Sequence, residues 1–267
     1  MMAAAVEIAR SMVPPLLWDA LRGRFGNRFE GEFASWAEAK AACVGYEDAS
    51  IVQRVAEAAR AVERGEAAYE QDSVLFDEVH YSWPVVASLL MIACARGGSL
   101  SVVDFGGSLG TSYRQNRKLL KGLQRLSWAV VEQETFVAAG QAEFSTPTLQ
   151  FFGDLDPAIE RTRADVILLS GVLQYLPDPQ AFLGELVDKP VEYLLFDRTP
   201  LIDGETDRLT VQRVPRHIYP ASYPAWFLSR KQLWSKLERQ FELVEKFSSK
   251  DAANIRSEYG GSLWKRR

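Results

Sequence analysis

The segment Ser101-Val-Val-Asp-Phe-Gly-Gly-Ser-Leu-Gly-Thr111, followed by Trp128-Ala-Val-Val-Glu132, decides the fold of this chain. In both segments a short apolar run ends in an acidic residue, and in the first the chain then turns through three glycines. Such glycines allow a tight turn and a close approach of the backbone to a ligand. Glu132 follows about 20 residues after Gly110, where an acid accepts hydrogen bonds from ribose hydroxyls. The pattern therefore predicts a βαβ unit that binds an adenosine-containing ligand.

The composition is that of an ordinary globular protein. Of the 267 residues, 47% are hydrophobic and 25% are charged, which argues against disorder. The formal net charge of -4 does not suggest the basic surface typical of nucleic-acid-binding proteins, so we expect no nucleic-acid partner. The two cysteines, Cys43 and Cys94, have no Cys or His at ligand spacing. We therefore expect neither a disulfide framework nor a bound metal.

The chain shows no signature of a membrane-spanning or secreted protein. No apolar run is long enough to cross a bilayer, and the first residues lack the order of a secretory signal peptide. We therefore expect a cytoplasmic protein without a transmembrane segment. Residues 1–30 mix apolar side chains with arginines, so this segment is expected either to dock on the main domain or to make a peripheral membrane contact.

After Gly97-Gly98 the chain alternates between strand and helix patterns. Strands are predicted near 100–104, 127–132, 148–152, 164–169, 191–197, 241–247 and 259–265. Helices are predicted at 111–122, 134–142, 156–161, 179–187 and 229–239. Such alternation predicts an α/β fold with a doubly wound, mostly parallel seven-stranded sheet in residues 97–267. Residues 1–96 are expected to form a helical N-terminal extension that caps this core.

Two kinds of adenosine ligand fit the glycine segment poorly. A nicotinamide cofactor requires G-x-G-x-x-G, whereas the glycines here are Gly106, Gly107 and Gly110, and Asp104 adds negative charge where a pyrophosphate would lie. A nucleoside triphosphate requires G-x-x-x-x-G-K-[ST], which the chain lacks. A sulfonium ligand with an amino acid's ammonium group would instead benefit from a nearby carboxylate.

The segment from Asp104 to Gly110 resembles motif I of class I S-adenosylmethionine-dependent methyltransferases, an acid and a spacer followed by G-x-G-x-G. The match departs from that motif at Ser108, where the middle glycine is expected. Phe151-Phe-Gly-Asp-Leu155 resembles the family's turn after the third strand. The stretch from Ala164 to Asp178 resembles its fourth strand and exit loop.

A narrower resemblance spans most of the chain. It comprises Asp104-Phe-Gly-Gly, Ser170-Gly-Val-Leu-Gln-Tyr-Leu, Asp197-Arg-Thr-Pro-Leu and Ser222-Tyr-Pro-Ala-Trp-Phe-Leu-Ser-Arg230. These segments are similar to a bacterial methyltransferase family that accompanies surface-polysaccharide biosynthesis.

Both resemblances imply a Rossmann-like core whose last strand is reversed, and S-adenosylmethionine as the cofactor. The implied reaction is O-methylation of a saccharide or other small molecule. The residues implied to bind the cofactor are Asp104, Gly106, Gly107, Gly110, Glu132, Asp154, Leu155 and Ser170.

Four residues are candidates for acting on the acceptor, because an alcohol acceptor needs a base. The chain has two histidines, His80 and His217, and each is expected to be either that base or a structural residue. Asp197-Arg198 ends the fifth core strand, on the side where open α/β sheets bind ligands. Arg198 is expected either to hold an anionic group of the acceptor or to pair with Asp197. The aromatic residues of 219–226 are expected either to stack on a sugar or to form a proline-rich loop packed on the sheet.

Two other functions remain open. The replaced middle glycine is compatible with a methyltransferase-like subunit that binds partners without catalysis. A nicotinamide-dependent oxidoreductase is disfavoured by Asp104.

Overall fold

A computed structural model describes residues 28–43, 48–71, 73–214 and 221–267. The expectation for His217 lies outside the described residues, and so does the expected membrane contact of residues 1–30, apart from residues 28–30. The described strands are β1 (Arg28–Glu30), β2 (Tyr69–Gln71), β3 (Val74–Phe76), β4 (Ser99–Phe105), β5 (Arg125–Val131), β6 (Leu149–Phe152), β7 (Val166–Ser170), β8 (Tyr193–Ile202), β9 (Arg208–Arg213), β10 (Ser222–Ser229), β11 (Phe241–Ser248) and β12 (Glu258–Arg266). The described α-helices are α1 (Trp36–Ala41), α2 (Asp48–Glu63), α3 (Trp83–Ala95), α4 (Thr111–Leu120), α5 (Glu134–Ala139), α6 (Leu155–Thr162), α7 (Pro179–Leu186) and α8 (Arg230–Leu237). A π-helix covers Gly140–Phe144, and a 3-10 turn covers Leu173–Tyr175.

The centre of the fold is a parallel sheet in the order β6-β5-β4-β7-β8. Strand β12 pairs antiparallel with β8, and β11 pairs antiparallel with β12. The seven predicted core strands are therefore all present, and the last one is reversed.

The strands of the central sheet are covered on both faces, which explains their nearly continuous apolar sequences. On one face Val102 packs in a cluster with Leu89 and Ile92 of α3. On the other face Val103 packs in a cluster with Ile159 of α6 and Leu183 of α7. Burying a side chain of this size contributes about 1.5–3 kcal/mol, so the two clusters hold the helices against the sheet.

The predicted strand number was too low, because the sheet has ten strands among the described residues. Strands β1, β9 and β10 form an antiparallel extension, which joins β8 only where Leu228 and Ser229 pair with Leu201 and Ile202. A proline-rich loop was one of the two expectations for residues 219–226, whereas residues 222–226 belong to strand β10. Pro224 is tolerated because it pairs with β9 on one side and lies outside the short register with β8 on the other.

The N-terminal part is not purely helical, which corrects a second expectation. Besides α1, α2 and α3 it contributes β1 to the sheet extension and the separate hairpin β2–β3. None of the helices that the structure describes is both long and apolar enough to cross a membrane.

The strand order changes direction at β4. From β4 the chain moves outward to β5 and β6, and it then returns to β7 on the other side of β4. In open parallel sheets, ligands bind at the carboxyl ends of the strands beside such a reversal. The candidate site therefore lies where β4 and β7 end.

Candidate functional site

The turn after β4 has left-handed backbone at three positions. The φ angles are +72° at Gly106, +55° at Ser108 and +94° at Gly110. Ser108, which replaces the middle glycine of the motif, therefore keeps a conformation that costs a non-glycine residue about 1–2 kcal/mol. The replacement leaves a glycine-type turn in place, and Gly110 directly precedes α4.

Two of the glycines allow close contacts that a side chain would block. A Cβ atom on Gly106 would lie 2.3 Å from Cγ2 of Val172, in the loop after β7. A Cβ atom on Gly107 would lie 2.5 Å from Cγ of Asp104. The glycine turn thus packs closely on the loop after β7 and on the carboxyl group of Asp104.

Asp104 is buried beneath this turn rather than open to solvent. It is 1% exposed, and its Oδ2 accepts a hydrogen bond from Nε1 of Trp128 at 3.1 Å. Burial raises the pKa of Asp104 to about 7, against the hydrogen bonds from Trp128 and Ser112, and the charge of Glu132 adds to the rise. The sequence predicts that this carboxylate binds the cofactor, and in the structure it lies directly beneath the turn, against Gly107 and Trp128.

Glu132 follows β5 and joins it to the glycine turn. Its Oε1 accepts a hydrogen bond from the backbone N–H of Ser108 at 3.1 Å, and its Oε2 accepts one from the N–H of Gln133 at 2.9 Å. Burial raises the pKa of Glu132, and these two hydrogen bonds oppose the rise. Each carboxylate oxygen can accept about two hydrogen bonds, so both oxygens can still accept a hydroxyl.

The remaining predicted cofactor residues lie at the ends of the neighbouring strands. Asp154 and Leu155 follow β6, whose Phe152 carbonyl accepts a hydrogen bond from the N–H of Glu132 at 3.0 Å. Asp154 is exposed and directly precedes α6, but its side chain makes no capping hydrogen bond. Ser170 ends β7. The structure thus brings the eight predicted cofactor residues to one edge of the sheet, namely the edge formed by the carboxyl ends of its parallel strands.

Asp197 and Arg198 form a β-bulge in β8. The register with β12 shifts so that these two residues oppose only Gly261, and Arg198 has a left-handed φ of +53°. Bulges of this kind re-aim side chains at functional edges. Asp197 is 4% exposed and accepts hydrogen bonds from the hydroxyl of Ser170 at 2.8 Å and of Ser82 at 3.4 Å.

Arg198 pairs with an acid other than its neighbour. Its Nε and Nη2 donate to the carboxylate of Asp251 at 3.1 and 3.4 Å. One expectation was a structural ion pair between Arg198 and Asp197, but the partner of Arg198 is Asp251. The charge of Arg198 still lowers the pKa of Asp197. Burial has the larger effect and raises the pKa of Asp197 above its ordinary value.

The contacts of His80 that the structure shows are with Phe76 and Gln115. Its side chain is exposed and packs on Phe76 of β3 at 5.0 Å between ring centroids, and its carbonyl accepts a hydrogen bond from the side chain of Gln115 in α4. The same segment supplies Ser82, which sequence reasoning missed. A serine before Trp83-Pro84 at a helix start was its only signal.

The aromatic residues of β10 pack against the turn after β7. The hydroxyl of Tyr175 donates to Oε1 of Gln212 at 2.8 Å, and Nε2 of Gln212 donates to the hydroxyl of Tyr223 at 3.2 Å. The two tyrosine rings meet edge to face at 5.3 Å. Nε1 of Trp226 donates to the carbonyl of Leu176 at 3.1 Å. Sequence reasoning missed Gln212, because its partners come from two distant segments.

No family model and no curated protein matches the chain. Solved structures resemble it at low identity. The N-terminal domain of EvdMO1, crystallised with SAH and D-fucose, is 16% identical, with 83% of this chain and 100% of that chain covered and a TM-score of 0.48. Magnesium protoporphyrin IX methyltransferase from Synechocystis PCC 6803 with bound SAM is 14% identical, with 84% and 99% covered and a TM-score of 0.44. CalS10, a SAM-bound amino pentose methyltransferase from Micromonospora echinaspora, is 12% identical, with 78% and 96% covered and a TM-score of 0.45. Similarities this low carry no information about the ligand or reaction of this chain.

Proposed function

We propose that this chain is an S-adenosylmethionine-dependent methyltransferase that methylates an oxygen of a saccharide or other small molecule. The observation that carries the proposal is the hydrogen bond from the N–H of Ser108 to Glu132, which joins the glycine turn to an acid at the end of the next strand. A turn and an acid joined in this way can hold a nucleoside between them.

Different residues at this edge bind different parts of the cofactor. Glu132 binds the ribose hydroxyls. Asp154 and the first N–H groups of α6, from Leu155 onward, face the adenine. The backbone of Gly106, Gly107, Gly110 and Ser170 lines the amino acid end of the cofactor. When bound, S-adenosylmethionine supplies a methyl group activated by a positively charged sulfur.

The electrostatics of the edge favour a cationic ligand. Asp104 is buried and Glu132 is half-buried, and the charge of Glu132 raises the pKa of Asp104. A positive ligand relieves the repulsion between these acids, whereas a pyrophosphate would add a third negative group. This argument favours S-adenosylmethionine over a nicotinamide cofactor.

The cellular setting is proposed on the resemblance alone. We expect residues 97–267 to act as the catalytic core, residues 1–96 to cap its acceptor side, and the enzyme to serve surface-polysaccharide biosynthesis in the cytoplasm.

Calorimetric titration tests the cofactor assignment. Wild-type protein is expected to release heat with S-adenosylmethionine and with S-adenosylhomocysteine, but not with NAD. Glu132→Ala is expected to weaken binding about 10- to 100-fold, because hydrogen bonds to a charged group contribute about 1.5–3 kcal/mol.

The matched control is Glu134→Ala, which removes an exposed acid two positions away. This variant is expected to bind like the wild type. Heat with NAD only, or equal affinity in Glu132→Ala and the wild type, would contradict the proposal.

A further inference from the structure

Asp197 is a buried acid without an ionic partner among the described residues. The adjacent guanidinium of Arg198 is engaged by Asp251 at 3.1 Å, and within the part of the chain that the structure describes the Asp197 carboxylate is held only by the hydroxyls of Ser170 and Ser82. By contrast, Asp165, which precedes β7 at the opposite edge of the sheet, forms an ion pair with Arg96 at 3.2 Å. A buried carboxylate without a counter-ion is costly, and such groups concentrate at functional sites.

The carboxylate of Asp197 has capacity for a third donor. A carboxylate offers about four acceptor positions, and two hydroxyls occupy two of them here. Both of these donors also hold the carboxylate in place, because Ser170 ends β7 and Ser82 directly precedes α3.

The neighbouring groups are unsuited to removing a proton. Arg198 and Asp251 neutralise each other. Burial raises the pKa of Tyr259, which interacts with Tyr175, Asp251 and Arg198, so its phenol stays protonated at neutral pH. Among these groups Asp197 is the one that can accept a proton.

This inference rests on the proposed function. We infer that Asp197 is the general base for a hydroxyl acceptor, and that Ser170 and Ser82 orient its carboxylate. The acceptor O–H bond breaks and its proton passes to an oxygen of Asp197, while the acceptor oxygen bonds to the methyl carbon. The bond from that carbon to sulfur breaks, its electron pair stays on sulfur, and a neutral thioether leaves.

An amine acceptor would not need this base. A neutral amine attacks with its own lone pair and loses its proton afterwards, whereas a hydroxyl must lose its proton as it attacks. Removing Asp197 therefore distinguishes the two acceptor classes.

Transfer from tritium-labelled S-adenosylmethionine to methyl glycosides of neutral hexoses, and to the matching aminohexosides, tests the inference. Asp197→Asn is expected to lower kcat with hydroxyl probes about 10²- to 10⁴-fold, the usual contribution of a general base. Its affinity for S-adenosylhomocysteine should stay within about twofold of the wild type, because Asp197 is not assigned to the cofactor. Asp203→Asn, an exposed acid just beyond the same strand, is the control and should leave kcat unchanged.

The pH profile separates a base from a purely structural acid. The charges that face Asp197 are Arg198, which lowers its pKa, and Asp251, which raises it. The hydroxyl of Ser170 also lowers this pKa, so Ser170→Ala should move the acid limb of kcat/KM to higher pH. The infrared difference spectrum of the wild type minus Asp197→Asn cancels the band of Asp104, whose pKa is also raised. It should show a protonated carboxyl band that persists above the ordinary pH range of aspartic acid and shifts when a hydroxyl probe binds.

Three results would overturn the inference. One is equal kcat for Asp197→Asn and the wild type with a hydroxyl probe. Another is methylation of aminohexosides alone. The third is binding of S-adenosylhomocysteine with neither transfer to a hydroxyl probe nor a response of the infrared band. In each case the cofactor assignment would stand, because none of these three results counts against the binding of S-adenosylhomocysteine or its dependence on Glu132.

Discussion

Ser108 shows how a single residue can depart from a motif while keeping its geometry. Its φ of +55° lies in the left-handed region that the expected glycine would adopt freely. The serine therefore carries a strain of about 1–2 kcal/mol, which the packing of the turn holds in place.

Ser108→Gly is expected to raise the free energy of unfolding by about 0.5–1 kcal/mol. Relief of the left-handed strain is offset in part by the larger chain entropy that a glycine loses on folding. Urea denaturation measures the change. Ser127→Gly, in the regular strand β5, is the matched control and should lose about 0.5–1 kcal/mol. If Ser108→Gly had a lower free energy of unfolding than the wild type, the claim that Ser108 is strained would be contradicted.

Asp104 makes the stability of the protein depend on pH. Its pKa of about 7 lies above the ordinary value of 3.8, so between about pH 4 and pH 7 the folded chain binds more protons than the unfolded chain. The free energy of unfolding should therefore fall as pH rises through this window. Asp104→Asn keeps an acceptor for Trp128 but cannot ionise. In this variant the free energy of unfolding should therefore fall less steeply with pH than in the wild type. Urea denaturation at several pH values measures this dependence. If the free energy of unfolding fell equally steeply with pH in the wild type and in Asp104→Asn, Asp104 would not be its cause.

Residues of the site differ in how far sequence predicts them. Asp104 and Glu132 were identifiable because each ends an apolar run, and the carboxyl ends of adjacent parallel strands meet at one edge. Ser82 and Asp251 were not identifiable, since each reaches the edge from a segment whose position depends on tertiary packing.

At the scale of elements, the bulge of β8 matters most for the site. Gly261 is the single residue opposite Asp197 and Arg198. A Cβ atom there would lie 2.1 Å from the ring of Phe247 and 2.8 Å from the carbonyl oxygen of Phe196. The oxygen belongs to the backbone of a central strand, so it cannot move aside cheaply.

Gly261→Ala is expected to lower the free energy of unfolding by about 1–3 kcal/mol, the usual cost of overpacking. Gly184→Ala provides the matched control, because Gly184 lies in α7 with open space around its missing Cβ. That control should gain about 0.5–1 kcal/mol from helix propensity. Thermal and urea denaturation measure both variants. A neutral Gly261→Ala would mean that the bulge tolerates a side chain.

The elements that sequence predicted are those with strong local patterns. Buried apolar runs alternating with helices identified the seven core strands, whereas β9 and β10 were missed. The prolines of residues 219–226 suggested a loop as one of two alternatives. The strand β10 can contain Pro224 because most of its length pairs on one side only.

On the scale of the whole molecule, the extension β1–β9–β10 distinguishes this chain from a bare seven-stranded core. It packs on the turn after β7 through Tyr175, Gln212 and Tyr223. One of its strands, β1, comes from a part of the sequence far from its partner β9, so no local pattern could have predicted their pairing. The proposed acceptor side therefore combines the N-terminal segments, the core and this extension.

The central claim is that the ends of β4 and β5 hold the adenosine of the methyl donor. A crystal structure of the protein with S-adenosylhomocysteine tests it most directly. We predict that both ribose hydroxyls lie within about 2.5–3.0 Å of the Glu132 carboxylate, and that the glycine turn borders the amino acid end. The claim would be contradicted if crystals grown at saturating S-adenosylhomocysteine showed no ligand at the ends of β4 and β5, or showed the ribose bound elsewhere.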